Sequence, residues 1–252
     1  MDKQLEERDR AEVLRSAEEA RKLVAEPIDP VQLKRYLNPP ADTAYRLEYA
    51  FYLLGDVRGK TVLDLGCGSG ENLVALVERG ARVTGLDISP ELIAIARQRL
   101  DKAGLEAILR VGSAYETGLP DESVDVIFSI NLIHHLDIPS VLAEILRILK
   151  KSGWVVIHEP IRFSATYGRL RKMLPARENI SEYEHPLTRE ELTAVCAPFR
   201  LEGLRYFRLP LTPLFRQFNS AQRLLLLMER WLIRHVAIIN RYATVVVVRL
   251  VR

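Results

Sequence analysis

Cysteine is scarce in this chain. The 252 residues hold two, Cys67 and Cys196, too few for a disulfide framework and without the spacing of a metal site, so no metal is expected. That usage suits a reduced compartment and predicts a cytoplasmic protein. Long apolar runs are missing as well: none reaches the ~18 residues of a membrane-spanning helix. Residues 1–26 are charged and helix-like, without the apolar centre of a signal sequence. Neither an internal repeat nor a low-complexity tract is present. Lysine is absent from the last fifth of the chain, where Arg200 to Arg252 carry ten arginines and two glutamates, a local charge of +8 inside an overall +3. A second basic run, with Arg162, Arg169, Arg171, Lys172 and Arg177, has no acid among it. A basic carboxy-terminal third suits an anionic partner or a solvated surface.

What is present begins with a 48% hydrophobic content, enough for a substantial core in one large domain. Apolar strands alternate with helical patterns from residue 61 to 158. Strands are predicted at Thr61–Leu65, Arg82–Leu86, Glu106–Val111, Val124–Ile130 and Trp154–His158. Helices follow Glu71, Pro90 (capped by Ser89) and Pro139. The Val124–Ile130 run is almost wholly apolar, as a strand covered on both faces should be. This alternation predicts a doubly wound, mostly parallel α/β sheet. Before it, residues 2–25 and 44–54 read as helices of an amino-terminal cap, with Asp42 or Thr43 as a helix cap, and this segment is placed to cover the mouth of a site. After it come a basic piece from Phe163 to Leu174 and a capping box at Thr188–Glu191. A strand follows at Leu201–Leu209, then an amphipathic helix over Leu224–Ile239 and a strand at Ala243–Val251. The division expected is 1–58 as cap, 59–160 as core and 161–252 as a variable substrate-recognition region that completes the sheet.

The most informative stretch is Val62-Leu63-Asp64-Leu65-Gly66-Cys67-Gly68-Ser69-Gly70. A buried strand that runs into three alternate glycines and then a helix is a ligand-binding turn, because glycine admits positive φ and close approach, and the helix start offers free N–H groups. About 20 residues beyond the glycines, Asp87 ends the second strand, where an acid accepts ribose hydroxyls. A dinucleotide turn requires glycine where Glu71 stands, and a carboxylate there repels a pyrophosphate. Asp64 on the other side also favours a cation. A ribose ligand with positive charge points to S-adenosylmethionine.

Val62–Gly70 resembles the first motif of class I S-adenosylmethionine-dependent methyltransferases. Asp87-Ile88-Ser89-Pro90 resembles their ribose segment, Leu119–Ile127 the run into strand four, Asn131–Leu136 the segment after it, and Arg147–Gly153 the turn into strand five. The resemblance covers about residues 60–160. It implies Asp64, Gly66, Cys67 and Gly68 along the methionine end of the cofactor, Asp87 on the ribose and Ile88 against adenine. Ser113 and Ala114 would flank the adenine amino group, with Asn131 and Leu132 nearby; Ser113 departs from the family's usual aspartate. The resemblance also implies a seven-stranded sheet that ends in an antiparallel strand pair, Leu201–Leu209 and Ala243–Val251, between whose members the amphipathic helix is an insertion.

A methyl transfer from a sulfonium needs alignment and exclusion of water, and a base only when the nucleophile keeps its proton. Candidate bases at the strand ends are Glu159 first, then His158 and His135, with His134, Tyr183, Glu184 and His185 behind them. The aromatic adenine-methylase signature is absent after strand four, so no nucleic-acid partner is expected. Arg216, Arg223, Arg230 and Arg234 with Trp231, and Arg241 just beyond, make residues 213–240 a basic amphipathic helix, suited to peripheral membrane contact or to packing on the sheet. The reading is methyl transfer to a small molecule, with a hydroxyl of a lipophilic or anionic metabolite preferred. A nicotinamide-dependent oxidoreductase and a non-catalytic cofactor-binding scaffold are the alternatives.

Overall fold

The computed structural model describes residues 3–163, 185–209 and 228–252. The expectations for 164–184, including Arg169 to Leu174, Tyr183 and Glu184, and for 210–227, including Arg216, Arg223 and Leu224–Leu227, lie outside the described residues.

Three helices open the chain: α1 (Lys3–Ala20), α2 (Pro30–Leu37) and α3 (Arg46–Leu54). Pro30 takes the first turn of α2, where Asp29 accepts from the Gln32 N–H at 2.9 Å. The expected cap of α3 is corrected. Tyr45 is the cap residue and makes no side-chain cap bond. Thr43 donates instead to the buried Glu48 at 2.5 Å, and Asp42 pairs with Arg230.

The alternation follows as β1 (Thr61–Leu65), α4 (Glu71–Glu78), β2 (Arg82–Asp87), α5 (Pro90–Ala103), β3 (Ile108–Val111), β4 (Val124–Ile130), α6 (Ile138–Ile148) and β5 (Leu149–Pro160). Beyond it lie α7 (Arg189–Cys196), β6 (Arg200–Phe207) and β7 (Val245–Val251). The sheet has seven strands in the order β3-β2-β1-β4-β5-β7-β6. The first five run parallel, and β7 is antiparallel to both β5 and β6. Strand order therefore reverses between β1 and β4, the place where open α/β sheets bind ligands. Side chains alternate across the sheet. Trp154 and Val156 join the core under α3, α4 and α5, while Val155 and Ile157 join the core under α6 and α7.

Two local expectations change. Lys150 to Gly153, read as a turn, is the extended start of β5, beside a register break at Val124/Val126. At Gly153 a Cβ would come within 2.8 Å of the Asp125 carbonyl, so the crossing excludes any larger residue. The helix expected up to Ile239 is helical over 228–235, then gives way to a 3-10 turn at Ala237–Tyr242.

Candidate functional site

The glycine turn crosses the carboxyl end of β1, with the N–H groups of Gly66 and Cys67 both donating to the Leu86 carbonyl (2.8 and 3.0 Å). Two of its glycines have separable reasons. Gly70 (φ +80°) precedes α4, and a Cβ there would meet Ala96 of α5 at 2.8 Å. Gly68 (φ +53°) would project a Cβ into open space, with nothing within 4 Å. That space belongs to a cavity of about 310 Å³ lined by the turn, Asp87, Ile88, Gly112, Ala114, Asn131, Leu132 and His135.

Asp87 braces the turn. One carboxylate oxygen accepts from the Gly68 N–H at 2.8 Å and the other from the Ser89 N–H at 3.0 Å. Burial raises its pKa against the pull of those two N–H groups. A carboxylate has about four acceptor positions, so Asp87 keeps capacity toward the cavity. Asp64 lies beneath the floor, 1% exposed, with neither oxygen hydrogen-bonded. Burial first, then the charge of Asp87, pushes its pKa up to about 8.

The roof of the cavity is α1, which contributes Asp9, Glu12, Arg15, Ser16 and Glu19, with Leu23 just beyond. Arg15 holds Glu12 and Glu19 on its own helix. Burial works to raise the Glu12 pKa, but hydrogen bonding to Arg15 and the charges of His135 and Arg15 outweigh it and hold it low. His135 stands 3.5 Å from Glu12. Burial, then the charge of His134, lowers His135 to about 4, so at neutral pH the contact joins a carboxylate to an uncharged ring.

At the end of the sheet the expected bases part company. Glu159 is fully buried. One oxygen accepts from the Leu132 and Ile133 N–H groups, both at 2.8 Å, and the other meets His134 Nδ1 at 2.6 Å. All three partners belong to the segment after β4, whose first residue, Asn131, is held at φ +55° with its N–H donating to the His158 carbonyl. Left-handed backbone at a non-glycine residue is costly and concentrates at functional sites. His158 faces the opposite side of the sheet, 3% exposed, with both ring nitrogens unpartnered. Burial, then the charge of Arg46, lowers it to about 4.

Of the residues singled out in the sequence, Gly66, Cys67, Gly68, Asp87, Ile88, Ala114, Asn131, Leu132 and His135 meet at one cavity. Asp64, Ser113, His158 and Glu159 do not line it. The Ser113 hydroxyl accepts from the Tyr115 N–H at 3.1 Å and is bonded to Asp9, so it joins the roof to the core. His185 is exposed, 3.6 Å from Glu191. The α1 side chains went unread as site residues, because a mixed-charge helix with one weak apolar stripe carries no signal of which surface it covers.

Residues 63–157 match a family model described as a methyltransferase domain. The chain is 31% identical over 150 residues to a malonyl-[acyl-carrier protein] O-methyltransferase of Serratia marcescens, covering 57% of this chain and 54% of that protein. It is 34% identical over 143 residues to a phosphatidylethanolamine N-methyltransferase of Cereibacter sphaeroides, covering 55% of this chain and 70% of that protein. Against several other curated relatives it spans about half their length. A solved S-adenosylmethionine-dependent methyltransferase of Mesorhizobium loti superposes with a TM-score of 0.57 at 20% identity, covering 86% of this chain and all of that one. At that identity the likeness speaks for the fold, while the sequence match over 70% of the Cereibacter enzyme speaks for descent: the chain belongs to the class I S-adenosylmethionine-dependent methyltransferase family.

Proposed function

We propose that this protein transfers a methyl group to a small-molecule acceptor, with a hydroxyl on a lipophilic or anionic metabolite as the preferred target. The single observation that carries the reading is the cavity at the strand-order reversal. There Gly68 leaves room for a ligand, Asp87 is braced with acceptor capacity to spare, and Asp64 lies just below as a buried acid whose oxygens have no donor. Those acceptors fit S-adenosylmethionine: a ribose diol for Asp87 and cationic centres for Asp64. When bound, the cofactor supplies an electrophilic methyl on a good leaving group, and the chain's own residues supply position and dryness.

Glu159 is assigned a positioning role, since its carboxylate is committed to the Leu132 and Ile133 N–H groups and to His134. It fixes the segment that forms one wall of the cavity. His158 suits the acceptor side better than Glu159 does. It is uncharged at neutral pH because its pKa lies near 4, its ring nitrogens are unpartnered, and it pairs in the sheet with Ile130, which lines the cavity. The names of the relatives span O- and N-methylation and include carrier-bound, lipid and quinone-pathway acceptors, which supports a lipophilic or anionic acceptor. Peripheral membrane contact through the described part of the basic helix belongs to the same proposal. Trp231 and Met228 on it are more than half exposed, as is Ile238 in the turn that follows.

The test is turnover on a panel of hydroxyl- and amine-bearing metabolites, followed by S-adenosylhomocysteine release, beside calorimetry with S-adenosylmethionine and with NAD. Micromolar binding of the sulfonium cofactor, none of NAD and turnover on a hydroxyl acceptor are expected. NAD binding alone would overturn the reading, and cofactor binding with no turnover anywhere on the panel would favour a scaffold.

A further inference from the structure

Among the described residues Arg99 is the one arginine or lysine that is buried, at 5% exposure. Burying a guanidinium is expensive unless its N–H groups find fixed acceptors. Its Nε donates to the Ser69 carbonyl at 2.9 Å, inside the glycine turn, and one terminal nitrogen donates to the Glu26 carbonyl at 2.5 Å. These acceptors lie 43 residues apart in sequence, one in the lining of the cavity and the other in the link beyond its roof helix. Ser69 is floor. Glu26 follows Leu23 in the strand-free link that leads out of α1, the roof. One turn further along α5, Lys102 donates to the neighbouring Ala25 carbonyl at 2.7 Å.

The face of α5 explains the arrangement. Leu92, Ala96 and Arg99 recur at spacings of four and three, so they share one side of the helix. Leu92 lines the cavity, Ala96 is the surface against which Gly70 closes, and Arg99 reaches the carbonyl between Gly68 and Gly70. Planar guanidinium can satisfy two carbonyls in different directions at once, whereas an ammonium on a flexible stem holds them less firmly.

We infer that Arg99 is a positioning residue that couples the α1 roof to the glycine turn, so that cofactor affinity depends on it while the chemical step does not. The inference rests on the cofactor reading proposed above. It is tested on the full chain with S-adenosylhomocysteine as the probe. Arg99→Met is expected to weaken binding at least tenfold, leave kcat at saturating cofactor within about twofold, and speed hydrogen exchange in residues 3–24 and 66–70 selectively. Arg99→Lys should recover part of the affinity. Lys102→Met, which keeps the link to Ser69, should bind within about threefold of wild type. Wild-type affinity in Arg99→Met would overturn the inference, as would faster exchange spread evenly over the chain, which marks a merely structural role. Should Arg99→Met not fold, Arg99→Lys carries the same exchange comparison, and unchanged exchange in both segments would be equally fatal. Failure of the wild type to bind S-adenosylhomocysteine would strike the cofactor reading, while exchange in the unliganded variants would still decide the coupling.

Discussion

Asp64 is the residue whose energetics are most exposed to test. Its folded pKa of about 8 lies above the ordinary 3.8. The stability it contributes is therefore complete below about pH 4 and is lost as pH rises through 8, because ionising the buried carboxylate has no compensation. A cationic ligand above it reverses that preference, so binding should release a proton near neutral pH, and affinity should rise with pH until about 8. Calorimetry in two buffers of different ionisation enthalpy reads the proton directly. Asp64→Asn should abolish the release and cost at least about tenfold in affinity, about 1.4 kcal/mol; equal proton release in the variant would clear Asp64 of the role. His135 and His158 have the opposite sign. Their folded values near 4 lie below the ordinary 6.5, so the stability they contribute is present above 6.5 and lost as pH falls toward 4. The glycines separate in the same way by measurement. Gly70→Ala meets Ala96 at an unfavourable φ and should lose roughly 2–4 kcal/mol in urea denaturation. Gly68→Ala has open space before it and should stay closer to wild-type stability, with its main loss in cofactor affinity.

Among the elements, those governed by short-range pattern were legible and those governed by docking were not. Val124–Ile130 was readable to the residue because a strand covered on both faces has to be almost wholly apolar. The capping box at Thr188 and Glu191 was readable because both halves of it lie within four residues, and both bonds are present (2.8 and 3.2 Å). β5 was read too short because its extra length depends on its neighbours: Glu159 and Pro160 pair with Val246 and Val245 of β7, and Leu149 pairs with Val124 of β4 across the register break, which local sequence does not encode. The role of α1 as a roof was hidden for a similar reason, since Asp9 and Glu12 acquire meaning only from Ser113 and His135 across the cavity. The insertion shows both sides. Its basic amphipathic character was plain, yet Arg230 is drawn to Asp42 at 3.0 Å, while Trp231 stacks on His235 and remains 57% exposed. Burying one such side chain contributes roughly 1.5–3 kcal/mol. Trp231→Ser combined with Ile238→Ser should therefore weaken binding to phosphatidylglycerol-containing vesicles at least about tenfold in co-sedimentation, with cofactor affinity unchanged. Equal sedimentation of variant and wild type would remove the membrane from the proposal.

At the scale of the molecule, the amino-terminal segment and the sheet share one core, although the sequence suggests a boundary near residue 58. Phe51 is fully buried, stacked on Tyr36 at 4.6 Å and against Phe128 of β4 at 5.1 Å. Leu54, also fully buried, is in the same core, and its carbonyl accepts from the Trp154 indole N–H at 3.2 Å. Arginines from the sheet and its helices complete the attachment by donating to carbonyls of the cap. Arg79 reaches Tyr36 and Gly55 (2.7 and 2.6 Å), Arg249 reaches Leu53 (2.7 Å), and Arg205 reaches Ala41 and Thr43 (3.0 and 3.2 Å). Such carbonyls at helix ends otherwise need water or a capping group, so these arginines bind the cap without requiring a particular cap side chain. A cap attached this way is expected to unfold with the sheet. Phe51→Ala should cost about 3–5 kcal/mol in a single urea transition seen alike by Trp fluorescence and far-ultraviolet dichroism. A fragment beginning at residue 59, stripped of Phe51 and Leu54, should lack a cooperative transition. Cooperative unfolding of that fragment at the wild-type midpoint would show instead that the cap is a separate unit laid over a self-sufficient sheet, and the roof of the cavity would then be free to move independently of the floor.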